Sequence, residues 1–429
     1  MERRLQKRYW LLVGGHLKVA NPQAAGVAKL PACRSSFAAT QAAWRFLNND
    51  RVCIGDMAVP MRELGRQSAN QSKSPFVLAI HDWMKIGCGS HTSKKDLAQL
   101  THEHDVGYEL YSCLLADGHN GQPLAPMEFR LETGTEIHHT QDADLVEEVW
   151  HTDQVASVMQ SSRSWGIDKP IIHVIDQEGD SIGHYRKWAA ADELFLVRSE
   201  DRSVMWQGKE RRFSSIVRTL LRSGAFEVRH QINFRGKQHE LRVAETSVVM
   251  HRPAKSRRNG KKMIVPGPPL EVRLIVSRVY DSNNRKKAEW FLISNAPSEI
   301  DGEQLAHSYY WRWRIETFFK LLKSSGFEIE HWRQETGSAI AKRLLVAAMA
   351  CVVIWQLERN ESPDAIEMKT LLVELSGRQM KRNRPFTAPA MLAGLEKLIP
   401  LLEILETRSV SELKELAIKT LPAQLINFG

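Results

Sequence analysis

The chain has 429 residues, enough for a large core with smaller appendages. Hydrophobic residues make up 43% and charged residues 25%, which excludes a disordered chain, and no apolar run reads as a membrane span. Its 59 Lys and Arg outnumber 50 Asp and Glu, and the net charge of +9 favours a polyanionic partner.

Residues 1 to about 70 read as helical and basic, interrupted at Gly14-Gly15. TQAAWRFLNND, Thr40 to Asp50, places Ala43, Phe46 and Leu47 at helical spacing behind a Thr40 cap. A polar linker, Gln67 to Ser74, and Pro75 precede FVLAIHDWM, Phe76 to Met84. This short apolar run bounded by turn residues predicts a buried strand ending in His81 and Asp82. An acid there can project into a cleft, or it can cap the following turn. His102, Glu103, His104 and Asp105 carry metal-ligand side chains, but neighbours on a strand point to opposite faces, so they read as the polar entry to a strand at Val106 to Leu115. Gly118 to Pro126 reads as a loop, and the acidic stretch from His138 to Glu148 as the approach to a helix over Leu145 to Ser161. IIHVID, Ile171 to Asp176, is a second apolar run ending in an aspartate. A turn at Gly179 and Asp180 and a helix through Trp188 follow it. FLVR, Phe195 to Arg198, predicts a further strand, with Arg198 either at a phosphate or simply at the surface.

From Ser199 to Ser294 the pattern turns to β segments at Phe226 to Ile232, His239 to Met250, Leu270 to Tyr280 and Glu289 to Ser294. PAKSRRNGKKMIVPGPP, Pro253 to Pro269, reads as a basic mobile loop, either near nucleic acid or simply solvated. Trp290 lies in the last β segment, where packing in a sheet is the plain expectation. Ala339 to Leu357 predicts a core helix. Met368 to Gly429 reads as helical, with a basic patch at Arg378, Lys381, Arg382 and Arg384 and a leucine-rich segment from Met391 to Leu405.

Ser308 to Arg333, SYYWRWRIETFFKLLKSSGFEIEHWR, reads as one amphipathic helix. At about 100° per residue, Tyr309, Arg312, Glu316, Lys320 and Lys323 fall within an arc of roughly 80°. Trp311, Ile315, Phe318, Phe319 and Leu322 form the neighbouring apolar stripe. One acid among cations and a phenol fits a hard divalent cation on Glu316 beside donors for phosphate oxygens. A surface helix pairing Glu316 with Arg312 or Lys320 is the alternative.

The Tyr309, Arg312, Glu316, Lys323 spacing resembles the Y-R-E-K signature of the insertion-sequence-4 family of bacterial DDE transposases, and YWRWRIETFFKLLK is similar to that family around its catalytic glutamate. Asp82 and Asp176 stand where such a family requires two strand-borne aspartates, and Asp176, Glu178 and Asp180 match its D-x-E-x-D element. The resemblance implies an α/β fold: a ribonuclease-H-like catalytic core with a β-rich insertion, a helical N-terminal domain and a helical C-terminal region. The corresponding division is 1–70 for binding of DNA ends, 71–360 for catalysis with the insertion at about 199–295, and 361–429 for dimerisation. Asp82, Asp176 and Glu316 would be both catalytic and metal-binding, holding two Mg²⁺ ions for which Mn²⁺ substitutes. Tyr309, Arg312, Lys320, Lys323, Arg198 and Trp290 would contact DNA, Trp290 by stacking on a flipped base. The implied activity is cut-and-paste transposition: hydrolytic nicking at transposon ends, a hairpin intermediate, and strand transfer. The implied partners are double-stranded DNA, as terminal inverted repeats and as target, and a second copy in a homodimeric synaptic complex. A domesticated or inactive relative that binds DNA without cutting it, or a ribonuclease-H-like nuclease acting on RNA, are the alternatives. Five scattered cysteines without C-x-x-C spacing and no signal-peptide pattern place the expected work in the bacterial cytosol, at the nucleoid, with no membrane and no zinc.

Overall fold

The computed structural model describes residues 2–18, 36–141, 151–234, 236–258, 261–325, 327–381 and 385–420. Helices α1 (Arg3–Lys18), α2 (Ser36–Leu47) and α3 (Ile54–Gln71) open the chain. The strands β1 (Val77–Gly87), β2 (Ala98–Gln99), β3 (Val106–Asp117), β4 (Pro123–Glu132) and β5 (Ile137–His139) follow as an antiparallel run. Next come α4 (Gln154–Ser162), β6 (Ile171–Ile175), α5 (Ile182–Ala190) and β7 (Leu194–Ser199). The β1–β6 and β6–β7 pairs are parallel, and their apolar runs are buried on both faces, as a parallel ladder requires.

Between β7 and its antiparallel neighbour the chain makes a long excursion. It comprises β8 (Ser203–Trp206), β9 (Lys209–Arg212), α6 (Phe213–Arg222), β10 (Glu227–Phe234), β11 (Lys237–Met250), the hairpin β12 (Ala254–Arg258) and β13 (Lys261–Val265), and β14 (Leu270–Tyr280), before β15 (Lys286–Ser294) returns beside β7. The main sheet therefore runs β5-β4-β3-β1-β6-β7-β15-β14-β11-β8-β9. The helices α7 (Gly302–Tyr310), α8 (Trp313–Lys320), α9 (Gly337–Arg359), α10 (Pro363–Ser376), α11 (Ala388–Leu405) and α12 (Val410–Thr420) complete the chain. By length and a mean hydropathy of 1.8, α9 is apolar enough to cross a membrane, contrary to the sequence reading, but 89% of that window is buried inside the protein. Side chains of α1, α2, α3, β1, β3, β4, α8 and α9 share one core.

Gly14-Gly15 does not interrupt α1. Thr40 lies inside α2 rather than at its cap, because the helix starts at Ser36. The stretch read as a linker is largely the end of α3, whose Met57, Ala58, Met61 and Ala69 are buried. Part of the Pro253–Pro269 loop is the β12–β13 hairpin, and the 118–126 loop gives way to β4 at Pro123. Residues 142–150, 382–384 and 421–429, on which parts of the acidic approach, the basic patch and the C-terminal helix fell, lie outside the described residues.

Candidate active site

The register of the central parallel pair positions the first two acids. The β1–β6 ladder runs Val77↔Ile171 to Ile80↔Val174, and continuing it two residues sets Asp82 opposite Asp176 on one face. Asp82 is not at a strand end as expected: β1 continues to Gly87 by pairing with β3 alone, with Asp82↔Ser112. Asp176 directly follows β6, and its carboxylate accepts from Gln177 N at 2.6 Å, starting the turn toward α5.

The third acid arrives on α8, which lies against β1. The expected single helix from Ser308 is instead two, broken at Trp311 and Arg312, and α8 gives way to a π-helical turn at Leu321–Ser325. The apolar stripe is as anticipated, with Trp311, Ile315, Phe318, Phe319 and Leu322 all buried. The break places the Arg312 guanidinium at the centre of the acids. Nη1 donates to Asp82 Oδ2 at 3.0 Å, and Nη2 lies 2.5 Å from Glu316 Oε1 and 3.5 Å from Asp176 Oδ2. Tyr309 donates its hydroxyl to Asp176 Oδ1 at 3.0 Å, and Arg198 Nε stands 3.3 Å from the same oxygen while bonding Gln177 at 2.6 Å.

The electrostatics follow from burial and from Arg312. Burial pushes the Asp82 carboxyl up to about 6, against the opposing pull of Arg312 and of the Trp83 N–H. Burial also acts upward on Asp176. There Arg312, the Gln177 N–H, Arg198 and Tyr309 outweigh it and hold the carboxyl below its usual range. Burial presses the Arg312 guanidinium down and the surrounding acids raise it further, so it stays a cation. Three carboxylates are hard oxygen donors of the kind Mg²⁺ takes. Among the described residues, though, no group of three or more acids, histidines or cysteines stands ready to hold an ion, and Arg312 lies where the three converge. The donor set fits a divalent cation; the arrangement fits it once Arg312 withdraws.

The remaining predicted residues divide. Lys323 pairs with Glu330 at 2.9 Å rather than facing the acids, because the π-helical turn carries it off the α8 face. Lys320 lies on a neighbouring groove. Trp290 is half-buried, with Phe234 edge-on at 6.0 Å and Tyr309 tilted at 6.2 Å. Asp180 is a structural hub, accepting from Tyr185 OH at 2.6 Å and Glu200 N at 2.8 Å and pairing with Arg202 at 2.8 Å. Sequence reasoning missed the layer behind Asp82: Trp83 stacks on His151 at 4.9 Å, and His151 bonds Glu109 at 2.6 Å. No spacing links these residues: β1–β3 pairing brings Trp83 and Glu109 onto neighbouring strands, and His151, in the short turn before α4, bridges them.

A mixed α/β sheet carrying acids on β1, after β6 and on α8 defines a fold in which a carboxylate cluster can act on phosphate esters. Residues 152–353 match the transposase DDE domain family. That span therefore carries a transposase DDE domain, which implies an enzyme that cleaves DNA and transfers its strands and a ribonuclease-H-like core. The match contains Asp176 and Glu316; Asp82 lies outside it and joins them through Arg312. No curated protein matches the chain. Among solved structures, the chain is similar to the cryo-EM structure of the piggyBac transposase synaptic complex with hairpin DNA. Identity is 9% and the TM-score 0.37, covering 98% of this chain and 77% of that one.

Proposed function

We propose that Asp82, Asp176 and Glu316 are the catalytic acids of a DNA transposase that moves an insertion sequence of the insertion-sequence-4 type by cut and paste. The observation that carries this reading is the convergence of three acids, far apart in sequence, on one guanidinium. DDE transposases generally use divalent metal ions, and two Mg²⁺ ions, with Mn²⁺ as substitute, would supply nucleophile activation and charge neutralisation. The chain's own residues do the rest. Arg198 and Tyr309 bind and orient phosphate oxygens beside the acids, Lys320 contacts the strand from the neighbouring groove, and Arg312 turns from the acids to the phosphodiester when substrate arrives. Water adds to phosphorus as the bond to the 3′-oxygen breaks, releasing a 3′-hydroxyl. That hydroxyl then attacks the opposite strand to form a hairpin, which is opened before transfer into target DNA. Trp290 offers an aromatic face to a base extruded at that bend. A homodimer holding two inverted repeats in the cytosol completes the reading.

The test is metal-dependent cutting of a duplex carrying the element's own ends, by the wild type and by Glu316→Gln. The substitution keeps an oxygen for Arg312 to bond while removing the charge. Cutting by the wild type that falls by at least about 10²–10³-fold in the variant supports the reading. Binding of the ends without cutting, in either metal, would instead favour a DNA-binding relative without catalysis.

A further inference from the structure

A groove of about 1390 Å³ runs beside α8, lined by residues of the α7–α8 junction, by Asn233, Gly236 and Gln238, and by residues 378, 380–381 and 386–389. It exceeds the roughly 300–1,000 Å³ typical of small-molecule pockets. Trp313 stands in it 52% exposed, whereas its neighbour Trp311 is 8% exposed. Arg314, Lys320, Arg378 and Lys381 line it against a single acid, Glu358, among the described residues. Lys320 and Lys381 form no ion pair among the described residues, and Arg378 feels the Glu396 carboxylate without pairing with it. The groove adjoins the site across α8. The Arg312 guanidinium lies 5.4 Å from the centre of the Trp313 ring, and Lys320 is one turn beyond Glu316.

We infer that this groove holds an unpaired DNA strand leaving the acid cluster, one base stacked on Trp313 and its phosphates on Lys320, Arg378 and Lys381. The inference rests on the function proposed above and adds a binding site to it. A half-exposed indole beside Lys320, Arg378 and Lys381 suits a polymer that alternates flat apolar bases with anions. A basic or neutral protein segment would leave those cations unsatisfied. Stacking tolerates any base, so the groove would serve strands of any sequence.

The probe is a fluorescein-labelled oligothymidylate of about twenty nucleotides, compared with a duplex of equal length by anisotropy across a salt series. Trp313→Ala should weaken single-strand binding by about 5- to 100-fold and duplex binding far less. The double variant Arg378→Gln/Lys381→Gln, at exposed or half-exposed positions where the fold is not at stake, should lower the slope of log affinity against log salt by about 1.4. The inference is overturned if the wild type does not bind the oligothymidylate, if the double variant keeps both affinity and slope, or if duplex binding falls equally. Cleavage of the element's ends is scored separately. Its absence with the groove effects intact would sink the proposed function, and its presence with unchanged strand binding would sink the groove.

Discussion

At Arg312 one side chain answers a problem that three acids create. Asp82, Asp176 and Glu316 sit within reach of one another, with Asp82 already pushed up to about 6 by burial, so the site needs a cation in every state. In the free protein that cation is Arg312, whose side chain is 8% exposed. Arg312→Gln should therefore lower the stability of the metal-free protein. A fully buried pair broken this way costs about 3–5 kcal/mol; the acids here are partly exposed, so about 1–3 kcal/mol is expected. The same variant should gain more from Mg²⁺ than the wild type does, because the ion no longer competes with a guanidinium. Thermal unfolding with and without Mg²⁺ reads both effects. An equal rise in melting temperature for the two proteins would show that Arg312 and the ion do not share a place.

The α7–α8 break is the element that aims Arg312, and its cause is remote in sequence. Gly121, with φ +65°, forms the turn before β4, and a Cβ there would lie 2.2 Å from Cγ of Trp311. The ring can seat on the turn only because that position has no side chain, and the seated ring holds the junction where the helix stops. Gly121→Ala must strain a left-handed backbone and displace an indole, for a loss of about 2–4 kcal/mol. Cutting should fall with it, as Arg312 and Glu316 move together; unchanged stability would mean the ring shifts freely. This is also where sequence reading reaches its edge. Asp176 after an apolar run, and Glu316 beside a buried stripe, were legible because burial and periodicity are local properties. The helix break, the diversion of Lys323 to Glu330 and the strand β4 were not, since each depends on a partner remote in sequence or on a turn that periodicity does not encode. The β12–β13 hairpin was hidden for another reason: a run of basic residues with Gly and Pro has a loop's composition whether or not it pairs.

Across the whole molecule, a buried polar chain fixes the register on which the two aspartates depend. On the face opposite the acids, Tyr111 OH meets His81 Nδ1 at 2.6 Å, His81 Nε2 meets His173 Nδ1 at 2.9 Å, and Glu193 lies 3.8 Å from His173. The chain thus ties β3, β1 and β6 to the start of β7, and a one-residue slip of β1 or of β6 would turn that strand's histidine and aspartate to the wrong faces. Both histidines are fully buried and neutral, His81 held well below its usual range and His173 at about 3, by burial in each case. In the unfolded chain they titrate near 6.5. Between that value and the folded ones the unfolded state binds more protons, so the stabilising contribution is complete above about 6.5 and is lost as pH falls. Asp82 works the other way, since its folded value of about 6 exceeds its unfolded one and favours the fold as pH falls through 6. Two of these three groups against one leave them a net loss as pH falls from about 6 toward 4, of the order of 1 kcal/mol per pH unit. Denaturant unfolding at pH 7, 6 and 5 should show that decline, and His173→Gln, with no ionisable ring, should flatten it even if it starts less stable. An equally steep decline in the variant would place the acid sensitivity elsewhere and leave the histidine pair as packing alone.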